Sequence, residues 1–238
     1  MNYDKFHAAP KLQTKIIRGD NFTYRYLIGI FKKLNLKPGS KILDYGSGVG
    51  TVDFCLASMG YFVEGLEVSK NALQISKQSA EAIGVASRVK FFHITKKIKD
   101  KYDAILCSEV IEHIDDYMLL IKKFITLLKK KGYLVITTPS INAPLYRMRL
   151  LEKFDKEVGH IRRYNPDELR NEIKNLGFKI IFLQKKEGIL RNSLFTIRKL
   201  NWIVKFLKGP LSDLTTIIDE ILVKMFGESN IHILSQKP

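Results

Sequence analysis

Short apolar runs alternate with longer amphipathic segments along most of the chain. The apolar runs have the length and the β-branched or aromatic content of strands, and the segments between them have helical periodicity. The predicted strands are 41–46, 61–67, 88–92, 102–108, 132–139, 178–183 and 230–236, and the predicted helices are 22–36, 50–59, 69–84, 115–130 and one beginning at Asn165. This alternation, with short connections, predicts an α/β fold with a mainly parallel sheet and helices on both faces.

The alternation is interrupted by residues 190–226, where two predicted helices lie between the last two strands. The second helix carries an apolar stripe at helical spacing, and the first carries Trp202 beside four cationic residues. Two interpretations stay open: an interfacial helix that contacts a membrane, or a helical pair packed on its own domain as a lid or dimer surface. We therefore expect one domain over 1–238, with an N-terminal helical cap at 1–40 and a helical insertion at 190–226.

The composition is that of an ordinary folded protein. Of the 238 residues, 45% are hydrophobic and 27% charged, which excludes a wholly disordered or collagen-like chain. Forty Lys and Arg against 24 Asp and Glu give a formal charge of +16, which favours anionic partners or a merely solvated surface. Two cysteines at unrelated spacing, no signal-peptide core and no long apolar run lead us to expect a cytoplasmic protein.

A glycine-rich loop follows the first predicted strand and opens a helix. Gly46, Gly48 and Gly50 stand in the sequence DYGSGVG, and three such glycines let the backbone approach a ligand closely. The dinucleotide fingerprint requires a glycine where this chain has Thr51, so that class of site is excluded. Glu67 ends the second strand about 20 residues later, where a carboxylate can accept hydrogen bonds from a ribose diol. Glu64 is the second choice for that role.

The segment ILDYGSGVGTVDFCLASMGYFVEGLEVS resembles the first motifs of class I S-adenosylmethionine-dependent methyltransferases. The resemblance runs from about Lys41 to Phe182 and resumes at the last strand. It implies a seven-stranded, Rossmann-like sheet with an antiparallel final strand, and S-adenosylmethionine as the methyl donor. The cofactor-binding residues it implies are Asp44, Gly46, Ser47, Gly48, Gly50, Glu67, Thr95 (nearest the adenine) and Ser108.

A cluster of acids and histidines follows the fourth strand. In CSEVIEHIDD, Glu109, Glu112 and His113 would project to roughly one side of a helical turn, and His160 follows in GHIRRYNPDEL. Three alternatives stay open. In the first, His113 or His160 is a general base for an acceptor hydroxyl. In the second, Glu109, Glu112 and His113, with His160 as a further candidate, bind a divalent cation; the carboxylates favour Mg²⁺, and the imidazoles would also allow Mn²⁺, Zn²⁺ or Fe²⁺. In the third, the cluster only caps a helix and positions the cofactor.

This cluster, with GYLVITTPSIN and H-x-R-R-Y-x-P-x-E-L, resembles the ubiquinone-biosynthesis O-methyltransferase group, and small-RNA 2′-O-methyltransferases share its E-x-x-E-H pattern. We therefore expect O-methylation of a small or lipid-like acceptor, with peripheral membrane contact as a corollary. An RNA 2′-O-methyltransferase ranks second because the basic residues are dispersed and no RNA-binding module is visible. A cofactor-binding protein without turnover is the third possibility. The sequence does not decide the oligomeric state.

Overall fold

A seven-stranded sheet forms the centre of the protein, seen here in a computed structural model that describes residues 12–34 and 36–238. The strand order is β3-β2-β1-β4-β5-β7-β6, and every adjacent pair is parallel except the two that involve β7. The predicted fold class is therefore confirmed, including the antiparallel last strand. The strands are β1 (Lys41–Tyr45), β2 (Phe62–Glu67), β3 (Val89–His93), β4 (Tyr102–Ser108), β5 (Leu128–Pro139), β6 (Lys179–Lys186) and β7 (Asn230–Gln236).

Helices cover both faces of this sheet. Successive strand residues point to opposite sides, so each face of the sheet has its own buried apolar cluster. Ile42 belongs to one buried apolar cluster, with α1 to α3, and its neighbour Leu43 belongs to a second, with α4 and α7. The helices are α1 (Arg25–Lys33), α2 (Thr51–Ser58), α3 (Lys70–Ile83), α4 (Tyr117–Leu127), α5 (Pro144–Arg147), α6 (Glu152–Val158), α7 (Pro166–Asn175), α8 (Ile189–Thr196) and α9 (Gly209–Phe226), with 3₁₀ turns at Ile111–His113 and Asn201–Phe206.

Two predicted helix ends were wrong. The helix predicted for 115–130 ends at Leu127, and β5 begins at Leu128, which pairs with Tyr102 at the start of β4. Sheet pairing overrides helical periodicity there, and Lys131 takes a left-handed φ of 60° where the pairing register shifts. The helix predicted for 22–36 begins only at Arg25, because the Asn21 side chain accepts the backbone N–H groups of Thr23 and Tyr24. Of the N-terminal cap expected at 1–40, residues 1–11 lie outside the described part.

Helix α9 buries its polar side and exposes its apolar side, which is the reverse of the usual amphipathic helix. Its buried residues are polar: Ser212 and Thr216 bind the Arg25 guanidinium, and Asp219 accepts the backbone N–H groups of Gly188 and Arg191. Its apolar stripe faces outward, with side chains 43–66% exposed: Leu211, Leu214, Ile217, Ile218, Ile221, Met225 and Phe226. The stripe is therefore not buried against its own domain, and membrane contact and a dimer surface both stay predictions for it.

The same surface continues onto the 3₁₀ turn before α9. Trp202 and Phe206 are 59% and 64% exposed, and Lys205 and Lys208 beside them are exposed as well. Among the described residues, no helix is both long enough and apolar enough to cross a membrane.

Candidate active site

A cavity of about 750 Å³ opens at the carboxyl ends of β1, β2, β4 and β5. This is the edge of an α/β sheet where ligands bind. Its wall combines the glycine loop, the end of β4, the α6–α7 connection, helix α8 and the start of β7. The cavity is large enough for a cofactor-sized molecule together with part of an acceptor.

The shape of the glycine loop leaves no room for a side chain at two of its glycines. Gly46 has φ +88°, and a Cβ atom there would lie 2.4 Å from the Val110 side chain. Gly50 has φ +80° at the N-terminus of α2, and its Cβ would lie 2.5 Å from the ring of Phe91. A side chain at either position would be strained as well as clashing.

Glu67 holds this loop against the end of β2. Its Oε2 accepts the backbone N–H of Gly48 at 2.8 Å, and its Oε1 accepts those of Val68 and Ser69 at 2.8 Å each. Carboxylate oxygens have further lone pairs, so Glu67 can also accept hydroxyl donors from a ligand in the cavity. Glu64, the second choice, instead forms an ion pair with Lys96 at 2.7 Å.

Two buried carboxyl groups interact beneath the loop. Asp44, on β1, and Asp53, on α2, are both buried, and each perturbs the pKa of the other. Burial raises the pKa of both, and Asp44 raises the pKa of Asp53 further, well above its usual value. Asp53 therefore holds a proton more strongly than Asp44 does. Asp44 Oδ1 and the nearby Ser47 Oγ are buried without a partner among the described residues.

The predicted cofactor-binding residues fall into three groups. Gly46, Gly48, Glu67 and Ser108 line the cavity, whereas Asp44, Ser47 and Gly50 lie behind its wall. Thr95 does neither: its exposed hydroxyl hydrogen-bonds to the ring of His93, and the neighbouring Ile94 lines the cavity instead. An apolar side chain thus stands near the place where the sequence suggested a polar contact to adenine.

The acids of the E-x-x-E-H segment point to different places. Glu109 has a left-handed φ of 55°, and its Oε1 accepts hydrogen bonds from Thr137 and Asn230. Glu112 is fully buried, and its Oε2 accepts the hydroxyl of Thr138 while Oε1 has no partner. Burial, and then the charge of Glu109, raise the pKa of Glu112 well above its usual value, which favours its neutral form.

The two histidines of the site are held in defined tautomers. Nδ1 of His113 lies 2.9 Å from the Gly159 carbonyl, and Nδ1 of His160 lies 2.9 Å from Oδ1 of Asp155. Both partners only accept, so both Nδ1 atoms carry the proton and both Nε2 atoms carry the lone pair. The imidazole rings are 5.0 Å apart and both line the cavity. Burial lowers the pKa of His113, which keeps it neutral.

Asp155 is a site residue that sequence reasoning missed. Arg163 binds it through two hydrogen bonds, of 2.9 and 2.6 Å, so one carboxylate is held by a guanidinium and oriented toward an imidazole. Although burial alone raises the pKa of Asp155, the hydrogen bonds from His160 and Arg163 bring it below its usual value. The spacing D-x-x-x-G-H-x-x-R was the available signal, because Gly159 ends α6 in a left-handed conformation and turns His160 back onto Asp155.

The structure brings together three of the four candidate metal ligands. Single donor atoms of Glu112, His113 and His160 lie within 4.8 Å of one another, and Glu109 is not part of this group. Two imidazoles and one carboxyl suit Mn²⁺, Fe²⁺ or Zn²⁺ better than Mg²⁺, which prefers oxygen ligands. The unpartnered Oε1 of Glu112 is consistent with such an ion, but Glu112 would first have to lose its proton.

Comparisons with known proteins agree with this geometry. A family profile described as a methyltransferase domain matches residues 20–183. The chain belongs to this methyltransferase domain family. It is a class I S-adenosylmethionine-dependent methyltransferase by sequence and by fold, as the glycine loop predicted.

Individual relatives of this methyltransferase are distant. A ubiquinone biosynthesis O-methyltransferase from Glaesserella parasuis is 32% identical over 128 residues, which is 50% of this chain and 53% of that protein. The chain thus spans about half the length of this relative. Among solved structures, a magnesium protoporphyrin IX methyltransferase from Synechocystis with bound S-adenosylhomocysteine has a TM-score of 0.65 at 14% identity, covering 99% of this chain and 94% of that one. A phosphoethanolamine N-methyltransferase from Haemonchus contortus in complex with S-adenosylmethionine has a TM-score of 0.64 at 16% identity, covering 90% and 53%.

The site of this methyltransferase suits its methyl donor. Glu67 offers acceptors for ribose hydroxyls at the end of β2. Asp44 Oδ1 and Ser47 Oγ, which have no partner among the described residues, belong to residues adjacent in sequence to the lining residues Tyr45, Gly46 and Gly48. When bound, S-adenosylmethionine supplies a methyl group already activated by its sulfonium, so the protein has to align an acceptor rather than activate the donor.

Proposed function

We propose that this methyltransferase transfers the methyl group to an oxygen atom of a small, lipophilic acceptor, with His160 as the general base. The observation that carries the proposal is the Asp155–His160 hydrogen bond in the wall of the cavity that the glycine loop also lines. A base is needed for a hydroxyl acceptor and not for an amine that is already unprotonated, so an oriented imidazole favours oxygen.

The arrangement assigns each residue a part in the proton transfer. Asp155 fixes the Nδ1–H tautomer of His160, which leaves the Nε2 lone pair directed away from the carboxylate. The acceptor O–H bond breaks as its proton moves to Nε2, and the oxygen forms the new C–O bond. The S–CH₃ bond breaks with its electron pair remaining on sulfur. The Asp155 carboxylate, whose side chain is 14% exposed, then stabilises the imidazolium, as the carboxylate does in other Asp–His pairs.

The cavity wall supports a lipophilic acceptor. Part of this wall is formed by apolar and aromatic side chains, which favour a hydrocarbon or an aromatic ring over a free phosphate. These residues are Tyr24, Leu27, Ile114, Phe154, Val158 and Phe195.

We propose further that the acceptor is taken from an anionic membrane surface on which the insertion lies. The outward apolar stripe of α9, with Trp202 and Phe206, is the kind of surface that enters a lipid headgroup layer. Exposed Arg198, Lys199, Lys205 and Lys208 supply the positive charge that acidic headgroups attract. Helix α8 joins this surface to the cavity, since Asn192, Phe195 and Thr196 line it.

Labelled methyl transfer tests the proposal. The protein is incubated with [methyl-³H]S-adenosylmethionine and a lipid extract, and label is measured in the organic phase. We expect organic-phase label that His160→Gln and Asp155→Asn reduce about 100-fold or more, while Asp167→Asn, an exposed carboxyl on α7, leaves it unchanged. The variants should bind S-adenosylhomocysteine as the wild type does.

Two results would overturn this assignment. Loss of activity in EDTA, restored by Mn²⁺ or Mg²⁺, would replace the base with a metal at Glu112, His113 and His160. Label that partitions into water and is released by ribonuclease would replace the lipophilic acceptor with RNA.

A further inference from the structure

A second group of polar side chains lines the cavity, and the proton transfer does not use it. Asn192 comes from α8, and Ser229, Asn230 and His232 come from the start of β7. These residues are only 3–8% exposed, yet each has a buried polar atom without a hydrogen-bond partner: Asn192 Oδ1, Ser229 Oγ, Asn230 Oδ1 and His232 Nδ1. A buried polar group without a partner is costly, so a cluster of four in one cavity wall indicates a ligand contact.

The unpartnered atoms are mostly hydrogen-bond acceptors. The Asn230 side-chain amide is fixed, because its Nδ2 donates to Glu109 Oε1 at 2.9 Å and therefore leaves Oδ1 for another donor. Asn192 Oδ1 can only accept. Burial, reinforced by the charges of Lys186 and Arg191, lowers the pKa of His232 to about 3, so its ring is neutral and keeps one accepting nitrogen.

The carboxylates of this part of the cavity already have partners. Glu187 lies 3.4 Å from the Arg191 guanidinium, which is completely buried against the rings of Phe22, Tyr26 and Phe195. Glu109 accepts hydrogen bonds from Thr137 and Asn230. The acceptors left without a partner are the neutral amide oxygens of Asn192 and Asn230, to which hydroxyl groups can donate without adding charge.

Aromatic side chains flank the polar atoms. The ring of Tyr26 meets the His232 ring edge-on at 5.9 Å, and Tyr26 and Phe195 both line the cavity. Planar amides beside aromatic rings can bind a molecule that has hydroxyl groups at its edge and C–H groups on its faces. A saccharide ring has this form, and a simple alcohol or a phosphate does not.

We propose that Asn192, Asn230 and His232 form a binding subsite for a polyhydroxylated, saccharide-like head group, so that the acceptor is a lipid-linked polyol. This inference rests on the proposed function and specifies its acceptor. It places the acceptor's hydroxyl groups between the α8–β7 wall and His160, and its hydrocarbon part along the apolar residues of the same cavity.

Binding, measured without turnover, tests the subsite. The protein is loaded with S-adenosylhomocysteine and titrated with octyl glucoside, octyl galactoside, octyl mannoside and 1-O-octylglycerol, each kept below its critical micelle concentration. 1-Octanol is the reference ligand. We expect at least one polyol to bind 10-fold or more tightly than 1-octanol. Asn192→Leu should abolish this preference, and Asn171→Leu, at an exposed position on α7, should retain it. His232→Phe is a second variant in case Asn192→Leu does not fold.

The outcomes separate this proposal from the proposed function. Equal binding of all polyols and 1-octanol, or a preference that neither Asn192→Leu nor His232→Phe reduces, would overturn the subsite. His160→Gln should keep the preference for the same polyol over 1-octanol, because that preference is set by the α8–β7 residues. Failure of methyl transfer with intact polyol selectivity would thus count against the general base and not against the subsite.

Discussion

Nε2 of His160, in the connection between α6 and α7, lies 3.9 Å from Oε1 of Glu112, in the 3₁₀ turn after β4. This separation is too long for a hydrogen bond, but it is short enough for the charge on one group to affect the other. Burial and the charge of Glu109 raise the pKa of Glu112, which favours a neutral carboxyl group facing His160. A neutral Glu112 leaves the Nε2 lone pair of His160 available to take a proton from an acceptor.

Glu112→Gln distinguishes a neutral carboxyl from a metal ligand. If Glu112 is neutral, the amide reproduces its shape and can still accept the Thr138 hydroxyl, so we expect kcat to fall less than about 10-fold. A metal ligand must be ionised, so the same substitution would then remove both metal binding and activity. Steady-state kinetics with and without EDTA decide between the two, and Asp155→Asn provides the inactive comparison.

Gly46→Ala should prevent cofactor binding. The new Cβ would lie 2.4 Å from the Val110 side chain, at a φ that costs a non-glycine residue about 1–2 kcal/mol. We expect the Kd for S-adenosylhomocysteine, measured by calorimetry, to rise at least about 100-fold. Gly29→Ala is the matched control, because nothing lies within 4 Å of that position in α1, and it should leave the Kd unchanged. Unimpaired binding by Gly46→Ala would mean that the loop does not contact the cofactor.

The Asp44–Asp53 pair predicts a stability that decreases as pH rises. The folded protein holds a proton on Asp53 that the unfolded chain releases above about pH 4. Between that value and the raised folded pKa, the unfolded state binds fewer protons, so the free energy of unfolding falls with increasing pH. Asp53→Asn keeps a donor for Asp44 and removes this dependence. In urea unfolding we expect the variant to gain about 1–3 kcal/mol on the wild type between pH 5 and pH 8, whereas Asp167→Asn should follow the wild type.

The outward stripe of α9 predicts binding to acidic vesicles. We expect the protein to sediment with phosphatidylglycerol-containing vesicles and not with pure phosphatidylcholine, because both apolar insertion and headgroup charge contribute. Ile217→Ser with Ile221→Ser should release it, whereas Leu119→Ser, at a 63% exposed position on α4, should not. If the wild type fails to sediment and instead forms a dimer that the double substitution dissociates, a second copy of the chain covers the stripe.

The sequence pattern predicted the sheet and its glycine loop because both depend on local features. Apolar runs predicted every strand within a few residues, and glycine spacing identified the loop before Gly46 and Gly50 were seen at positive φ. Asp155 could not be predicted in this way, because its role depends on how α6 ends and folds back on itself. The outward face of α9 was ambiguous for a related reason. Periodicity shows that a helix has an apolar side, whereas the tertiary partners of Ser212, Thr216 and Asp219 decide which side is buried.

The helices of the insertion leave the sheet from β6 and return to it in β7, and these strands are adjacent, with Lys186 paired to Asn230 where the excursion begins and ends. The pairing of β6 with β7 already brings the two ends of the insertion together, and the entropic cost of closing a longer segment rises only slowly with its length. Natural variation can therefore replace the acceptor-facing helices while β1, β2 and the glycine loop stay unchanged. Grafting the segment between Lys186 and Asn230 onto another member of this fold should transfer acceptor preference and leave cofactor affinity with the recipient.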